Sequence, residues 1–201
     1  RYTNLFYHTF VTMLVDNPFG VNAYVSPQLF CDRDEETATI SSALRNGRNV
    51  MLYSPRRYGK TGLIHHVFND LSKVRGARTV FADVYAAQDA HEFNTILLNA
   101  VHQALNPTPK QFLKNAMDWF SALRPVVSVD ELTGQPSIAL EPSKSRKEAA
   151  TTREIFRVMN EQPRTIFLAI DEFQQIVTFE GVRMDAVLRT ELQRSTKVRC
   201  I

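Results

Sequence analysis

The sequence predicts an α/β fold with a mainly parallel sheet, and three observations carry this prediction. Short apolar runs alternate with stretches of helical periodicity along most of the 201 residues, which is typical of strand-helix-strand units. Residues 54–61, Ser-Pro-Arg-Arg-Tyr-Gly-Lys-Thr, join one apolar run to a helical stretch. A second run, residues 165–170, is apolar almost throughout and ends in Asp171 and Glu172, as expected of a strand buried on both faces.

Composition and charge restrict the class of protein. A hydrophobic content of 44% suffices for one large core, and a net charge of +3 permits nucleic-acid binding without indicating it. No stretch approaches the roughly 18 consecutive apolar residues of a membrane span, and the first residues lack the form of a signal peptide. Cys31 and Cys200 form neither a metal spacing nor a disulfide framework. We therefore expect a globular cytoplasmic protein with no membrane partner.

The first 29 residues are expected to form an N-terminal extension or linker. Residues 2–15 carry a helical apolar pattern, and the prolines and glycine that follow predict an extended connector. Acidic residues near position 34 then begin a helix that runs to about Arg45 and ends at Asn46 and Gly47.

Strands and helices alternate after residue 48. We predict a strand over residues 49–53, a helix over 62–74, a second strand over 79–85 and a second helix over 87–105. After an interruption, the alternation resumes with elements predicted over residues 148–160 (helix), 165–170 (strand), 184–194 (helix) and from 198 onward (strand).

The interruption is predicted to be an insertion at about residues 106–146, outside the main sheet. It contains a predicted helix over residues 110–123 and two short strands, 126–130 and 137–140, that we interpret as a β-hairpin. The hairpin either docks a partner or covers an open sheet edge.

Residues 54–61 have the properties of a phosphate-binding loop. That pattern requires Gly, four variable residues and then Gly-Lys-Ser/Thr, because successive N–H groups surround the phosphates while Lys reaches the terminal ones. Ser54 replaces the first Gly, which weakens the match, since Gly tolerates positive φ better. The strand before the loop and the helix after it support the interpretation, because a helix N-terminus attracts anions. The alternative is an ordinary basic turn between a strand and a helix.

Each loop residue has an expected role. Lys60 contacts the β and γ phosphates, and the hydroxyl of Thr61 is a ligand of Mg²⁺. The side chains of Arg56, Arg57 and Tyr58 either face outward while their N–H groups serve the phosphates or contact a lid or a neighbouring subunit. The predicted nucleotide-binding residues of this segment are Ser54, Pro55, Arg56, Arg57, Tyr58, Gly59, Lys60, Thr61 and Gly62.

Asp171 and Glu172 are the candidate acidic residues of the site. The carboxyl ends of parallel strands present ligand groups, so Asp171 is expected to hold Mg²⁺ and Glu172 to act as the general base on water. Glu172 and Lys60 are thus the predicted catalytic residues of nucleoside triphosphate hydrolysis. The alternative is a buried strand that ends in a solvated acidic turn.

Four further side chains have open roles. Arg189 and Arg194 lie on the helix predicted after the acidic motif, and each is either an arginine finger for a neighbouring subunit or part of a solvated helix face. Gln174 and Gln175 either sense the γ-phosphate or form a surface pair.

These motifs, with Phe-Cys-Asp-Arg-Asp-Glu at residues 30–35 and Asp-Glu-Phe-Gln-Gln at residues 171–175, resemble those of prokaryotic STAND-type ATPases of the AAA+ superfamily, within the archaeal ATPase group. The chain is also similar to origin-recognition ATPases. The resemblance covers about residue 17 to the end. It implies a three-layer P-loop ATPase domain over residues 30–201 that binds ATP or ADP with Mg²⁺.

The resemblance also implies roles that spacing does not. Arg33 matches the Gly-Arg-Glu box of the family, which lies beside the adenine and ribose, although Asp32 and Asp34 replace its Gly and Glu. The alternative for Arg33 is a charged helix N-terminus. A sensor residue and a helical lid would follow Ile201, so we expect a fragment truncated before the lid.

The motifs and the resemblance together predict ATP binding and Mg²⁺-dependent ATP hydrolysis, used as a conformational switch within a larger protein. ATP is preferred to GTP because of the resemblance and because no Asn-Lys-x-Asp motif is present. One alternative is a nucleotide-gated interaction scaffold with little hydrolysis, and another is a DNA-binding ATPase. The expected partners are a protein or a C-terminal effector domain, DNA in the last alternative, and further copies of the chain if an arginine finger is used.

Overall fold

The computed structural model describes residues 27, 30, 32–55, 57–105, 126–129, 136–140 and 145–201. The α-helices in this part of the chain are α1 (Asp34–Arg45), α2 (Lys60–Ser72), α3 (Ala90–Leu105), α4 (Ser145–Glu161) and α5 (Met184–Arg194). The strands are β1 (Ala77–Asp83), β2 (Val126–Val129), β3 (Pro136–Ala139), β4 (Thr165–Asp171) and β5 (Val198–Cys200), and a 3-10 helix spans Phe173–Thr178. Among these helices, none has the length and apolar character needed to cross a membrane.

The main sheet is small and parallel. Its strand order is β1-β4-β5, and β1 pairs with β4 from Ala77 opposite Thr165 to Asp83 opposite Asp171. The two strands therefore end at the same edge of the sheet, with a carboxylate residue at the end of each. The prediction of an α/β fold with a parallel sheet is confirmed.

Two apolar clusters cover the two faces of this sheet. In β4, Ile166, Leu168 and Ile170 belong to the cluster that contains residues of α3, α4 and α5, whereas Phe167 and Ala169 belong to the cluster that contains residues of α1 and α2. Successive side chains of a strand point to opposite faces, so β4 has to be apolar at every position between the two clusters. This packing explains the continuous apolar run in the sequence.

The helix before residues 54–61 ends as predicted. The last helical residue is Arg45, and Asn46 is the C-cap. Gly47 has a φ of 79°, a conformation that side-chain-bearing residues rarely adopt. The N–H of Arg48 donates to the carbonyl of Ala43 at 2.9 Å, which satisfies an acceptor that the helix itself leaves free.

The prediction of a strand over residues 49–53 is wrong, because these residues lie beside β5 without forming a strand. The N–H of Val50 donates to the carbonyl of Cys200 at 2.8 Å. The N–H of Cys200 does not bond to a backbone carbonyl of this segment, as it would in a parallel ladder. It donates instead to the side-chain Oδ1 of Asn49 at 2.9 Å.

The predicted hairpin is present as an antiparallel pair of β2 and β3 in a sheet of its own. Asn99 of α3 donates from Nδ2 to the carbonyl of Ile138 and accepts the N–H of Ile138 at Oδ1, both at 2.7 Å. A side-chain amide thereby supplies both hydrogen bonds that a neighbouring strand would make. The turn of the hairpin, the helix predicted over residues 110–123 and nearly all of the N-terminal extension lie outside the described residues, so the proposed domain limits stay predictions.

His102 links the stability of this fold to pH. It is fully buried in α3, and burial lowers its pKa from 6.5 to about 4. Between pH 6.5 and about pH 4, His102 is protonated in the unfolded chain but neutral in the folded protein. Its contribution to stability is therefore complete above pH 6.5 and is lost as the pH falls toward 4. The largest loss from this group is about 3 kcal/mol.

Urea unfolding of the wild type and of His102→Gln at pH 7 and pH 5 tests this prediction. The free energy of unfolding should fall more steeply with acidification in the wild type than in the variant. Equal falls in the two proteins would contradict it, whatever the absolute stability of the variant.

Candidate functional site

Two motifs that are 110 residues apart in the sequence meet at the end of the main sheet. Thr61 Oγ1, in the first turn of α2, donates to Asp171 Oδ2 at 2.5 Å. Asp171 is the last residue of β4 and is only 4% exposed. The N-terminus of α2 therefore lies against the carboxyl end of β4, the position at which open parallel sheets bind ligands.

The loop before α2 leaves backbone donors free for an anion. Gly59 is the N-cap residue with a φ of 71° and makes no side-chain capping hydrogen bond. The first N–H with a partner inside the helix is that of Leu63, which donates to the carbonyl of Gly59 at 2.9 Å. The N–H groups of Lys60, Thr61 and Gly62 precede it, as the first donors of a helix do, and such a group of donors is suited to phosphate.

Ser54, at the position of the missing first Gly, does not need the conformation that only Gly adopts easily. Among the described residues of this loop, those with positive φ are Arg57, at 65°, and Gly59. Ser54 can therefore replace the first Gly of the pattern, because the left-handed conformation is adopted three and five residues later.

The carboxylate of Glu172 is held at the same edge of the sheet. Glu172 has a φ of 57° and a ψ of 35°, and its N–H donates to Asp171 Oδ1 at 2.9 Å. Gln174 Nε2 donates to Glu172 Oε2. One carboxylate oxygen of Glu172 is thus engaged by a neighbouring amide, while Asp171 is fixed at both of its oxygens.

An open cleft of 760 Å³ lies over these groups. The residues that line it are Leu52, Tyr53, Ser54, Pro55, Arg57, Tyr58, Gly59, Lys60, Thr61, Gly62, Tyr85, Glu172, Gln174 and Gln175. Most of the residues expected from the sequence are in this set, and both Gln174 and Gln175 line the cleft. Arg56 lies outside the described residues.

Two tyrosines that line the cleft were not predicted from the sequence to be site residues. Tyr53 precedes the loop and is 98% exposed, and Tyr85 is 63% exposed. Tyr85 follows β1 by two residues, and its N–H donates to Asp83 Oδ1 at 3.0 Å. Because neighbouring parallel strands end at one edge, the end of the predicted second strand was the signal that could have found it.

A second cleft, of 540 Å³, connects the loop to α1. Its walls combine apolar side chains such as Ile40 and Leu63 with Arg33 and Glu36. Arg33 does not extend freely into this space, since its Nη2 donates to the carbonyl of Tyr58 at 2.6 Å.

Arg189 and Arg194 lie away from both clefts. Each is an exposed residue of α5, and neither lines the cleft over the phosphate loop or the cleft beside α1.

The oxygen atoms of Thr61 and Asp171 fit the requirements of a Mg²⁺ site. A hydroxyl and a carboxylate in contact at a phosphate loop match the hard oxygen ligands of this ion, which usually takes one or two protein ligands together with phosphates and water. Within the described ranges, no group of three or more His, Cys, Asp or Glu residues could hold a metal by itself. These two oxygen atoms would therefore bind a metal ion only together with the oxygens of a bound phosphate.

His65 of α2 lies near this pair without serving as a ligand. Its ring packs against Phe81 at 4.5 Å between centroids. Burial lowers the pKa of His65, and the charge of Asp171 opposes this shift more weakly. The adjacent His66 stacks on Phe30 at 4.3 Å, so the two imidazoles pack against different aromatic rings.

Comparison with known proteins gives one match to a protein family. A family described as an ATPase domain predominantly from Archaea matches residues 30–197, which is well over half of the chain. None of the curated proteins matches the chain.

Proposed function

Because the chain belongs to this family of ATPase domains, found predominantly in Archaea, we propose that it binds ATP and hydrolyses it with Mg²⁺, as the conformational switch of a larger protein. The observation that carries the proposal is the contact of Thr61 Oγ1 with Asp171 Oδ2 at 2.5 Å. This contact joins the phosphate loop to the acidic motif. The two motifs can act on one metal ion and one triphosphate only when they lie side by side.

Binding of the triphosphate rests on the loop and on α2. The N–H groups from Arg57 to Gly62 surround the β and γ phosphates, and the positive end of α2 favours their charge. Lys60 lines both the cleft over the loop and the cleft beside α1. From this position its ammonium group neutralises the terminal phosphates. The adenine of the nucleotide lies toward α1, where the second cleft is partly apolar.

Hydrolysis rests on the acidic motif. Thr61 and Asp171 would hold the metal, which when bound would neutralise charge on the β and γ phosphates. Glu172 orients a water molecule in line with the γ-phosphorus and accepts its proton at the carboxylate oxygen that Gln174 leaves free. Lys60 stabilises the charge that develops as the bond to the leaving phosphate breaks.

We extend the proposal to a three-layer domain of the AAA+ type with STAND-like features. Residues 49–53 lie on the far side of β5 from β4, as one hydrogen bond of Val50 indicates, and helices cover both faces of the sheet. The support for this finer placement is the strand order together with the resemblance of the motifs.

One observation favours a second candidate, a nucleotide-gated scaffold with little hydrolysis. Gln174 Nε2 engages Glu172 Oε2, so one of the two carboxylate oxygens already has a partner and only the other is available to a water molecule. No comparable observation of the described residues favours DNA binding, an effector partner or self-association.

Titration calorimetry with ATP, ADP and GTP, followed by measurement of phosphate release with Mg²⁺ or EDTA, tests the proposed function. ATP and ADP should bind, GTP should bind more weakly, and phosphate release should require Mg²⁺. Binding with one turnover or less supports the scaffold, whereas absence of ATP and ADP binding rejects both candidates.

Asp171→Asn isolates the proposed metal ligand. The amide still accepts a hydrogen bond from Thr61, but it lacks the charge that Mg²⁺ requires, so phosphate release should fall about 100-fold and the dependence of ATP affinity on Mg²⁺ should weaken. Asp83→Asn is the matched control, because Asp83 lies opposite Asp171 at the end of β1 and is exposed. An unchanged Mg²⁺ dependence in Asp171→Asn would remove Asp171 from the metal site.

A further inference from the structure

Arg33 reaches the phosphate loop from the beginning of α1, 25 residues away in the sequence. Its Nη2 donates to the carbonyl of Tyr58 at 2.6 Å, and its Cζ lies 5.7 Å from the centroid of the Tyr58 ring. Its Nη1 lies 3.4 Å from Glu36 Oε1. The guanidinium therefore makes an ion pair with the first turn of α1 while it contacts the backbone carbonyl and the ring of Tyr58.

The carbonyl of Tyr58 lies between two residues in the left-handed conformation. Arg57 on one side has a φ of 65° and Gly59 on the other has a φ of 71°. The left-handed conformation is unfavourable for Arg because of its Cβ, so the loop needs support from outside to keep this shape. When successive N–H groups face a bound anion, the carbonyl oxygens face away from it and require their own donors.

We infer that Arg33 is a positioning residue that shapes the phosphate loop for the triphosphate, through the carbonyl of Tyr58. The inference rests on the proposed nucleotide binding and differs from the role implied by the family resemblance, in which this residue lies beside the adenine and ribose. A residue that acts on the base affects only ligands that carry a base. A residue that acts on the loop affects every ligand that carries the phosphates.

Inorganic tripolyphosphate, ATP and GTP separate these two roles. Arg33→Ala should weaken the binding of all three ligands by the same factor, about tenfold, as expected for the loss of a charge-assisted hydrogen bond. Arg33→Lys keeps one charged donor and should recover part of the loss. Loss of ATP affinity with unchanged tripolyphosphate affinity would show that Arg33 acts on the base and would overturn the inference.

Arg183→Ala is the matched control. Arg183 likewise precedes a helix, α5, and makes an ion pair with its first turn, with Asp185 at 2.9 Å, but it lines neither of the two clefts. This variant should bind all three ligands as the wild type does, and an equal loss in both arginine variants would overturn the role of Arg33.

Hydrogen exchange of the protein without ligand gives a readout that does not depend on nucleotide binding. In Arg33→Ala, the amide of Leu63, which donates to the loop carbonyl of Gly59, should exchange faster at short labelling times, while the amides of α3 should keep their wild-type rates. Unchanged exchange of the Leu63 amide overturns the inference. If the wild type binds neither ATP nor tripolyphosphate, the proposed function fails, and the exchange data alone then decide whether Arg33 shapes the loop.

Discussion

Lys60→Ala is expected to weaken ATP binding by at least about 100-fold, or about 3 kcal/mol. Lys60 is the first residue of α2 and is half-buried between the two clefts, so its ammonium group is the cation best placed for the terminal phosphates. Alanine removes the charge and its hydrogen bonds but favours the helix, so the fold should be kept. Titration calorimetry with ATP measures the loss directly.

Lys73→Ala is the matched control for this experiment. Lys73 lies at the other end of α2, where it is exposed and lies 4.0 Å from Asp70. Its replacement should leave ATP affinity unchanged. Wild-type affinity in Lys60→Ala, with a normal circular dichroism spectrum, would reject the phosphate loop as the binding site.

Glu172→Gln should stop turnover while ATP stays bound. The amide has the shape of the carboxylate but cannot accept the proton of the attacking water, so the rate of phosphate release should fall by about 10² to 10⁴. ATP affinity should change little, because the loop and Lys60 are intact. Quench-flow with labelled ATP should recover unhydrolysed ATP from the protein.

Glu180→Gln controls for the loss of one negative charge. Glu180 follows the 3-10 helix of the acidic motif, is exposed and lines neither cleft, so this variant should hydrolyse ATP at the wild-type rate. Equal turnover by Glu172→Gln and the wild type would remove Glu172 as general base. If the wild type itself turns over once at most, the scaffold candidate is favoured over the enzyme.

Helices with strong local signals were predicted closely. The predicted limits of α5 match those observed, and the helix predicted over residues 62–74 is present as α2, Lys60–Ser72. Caps and apolar periodicity act within a few residues, so no knowledge of distant partners is needed. The second strand was predicted two residues too late, since its limits follow from pairing with β4.

The strand predicted over residues 49–53 shows where local pattern fails. Its apolar composition is right, but a strand exists only through hydrogen bonds to a neighbour, and β5 provides one carbonyl for Val50 while Asn49 takes the adjoining donor. Met51, in the same run, is 83% exposed. An apolar run does not encode which hydrogen bonds a neighbouring strand offers to it.

The two motifs of the candidate site were recognisable in the sequence, because the proposed phosphate loop and the acidic strand end are each contained in a few consecutive residues. That the two motifs lie in contact was decided by the tertiary structure. β4 lies between two apolar clusters, and packing of α2 on one face brings Thr61 within 2.5 Å of Asp171. The same packing places Tyr85 in the cleft and turns Arg33 onto the carbonyl of Tyr58. Contacts between distant segments depend on how both faces of the sheet are filled, and a local motif carries no information about that.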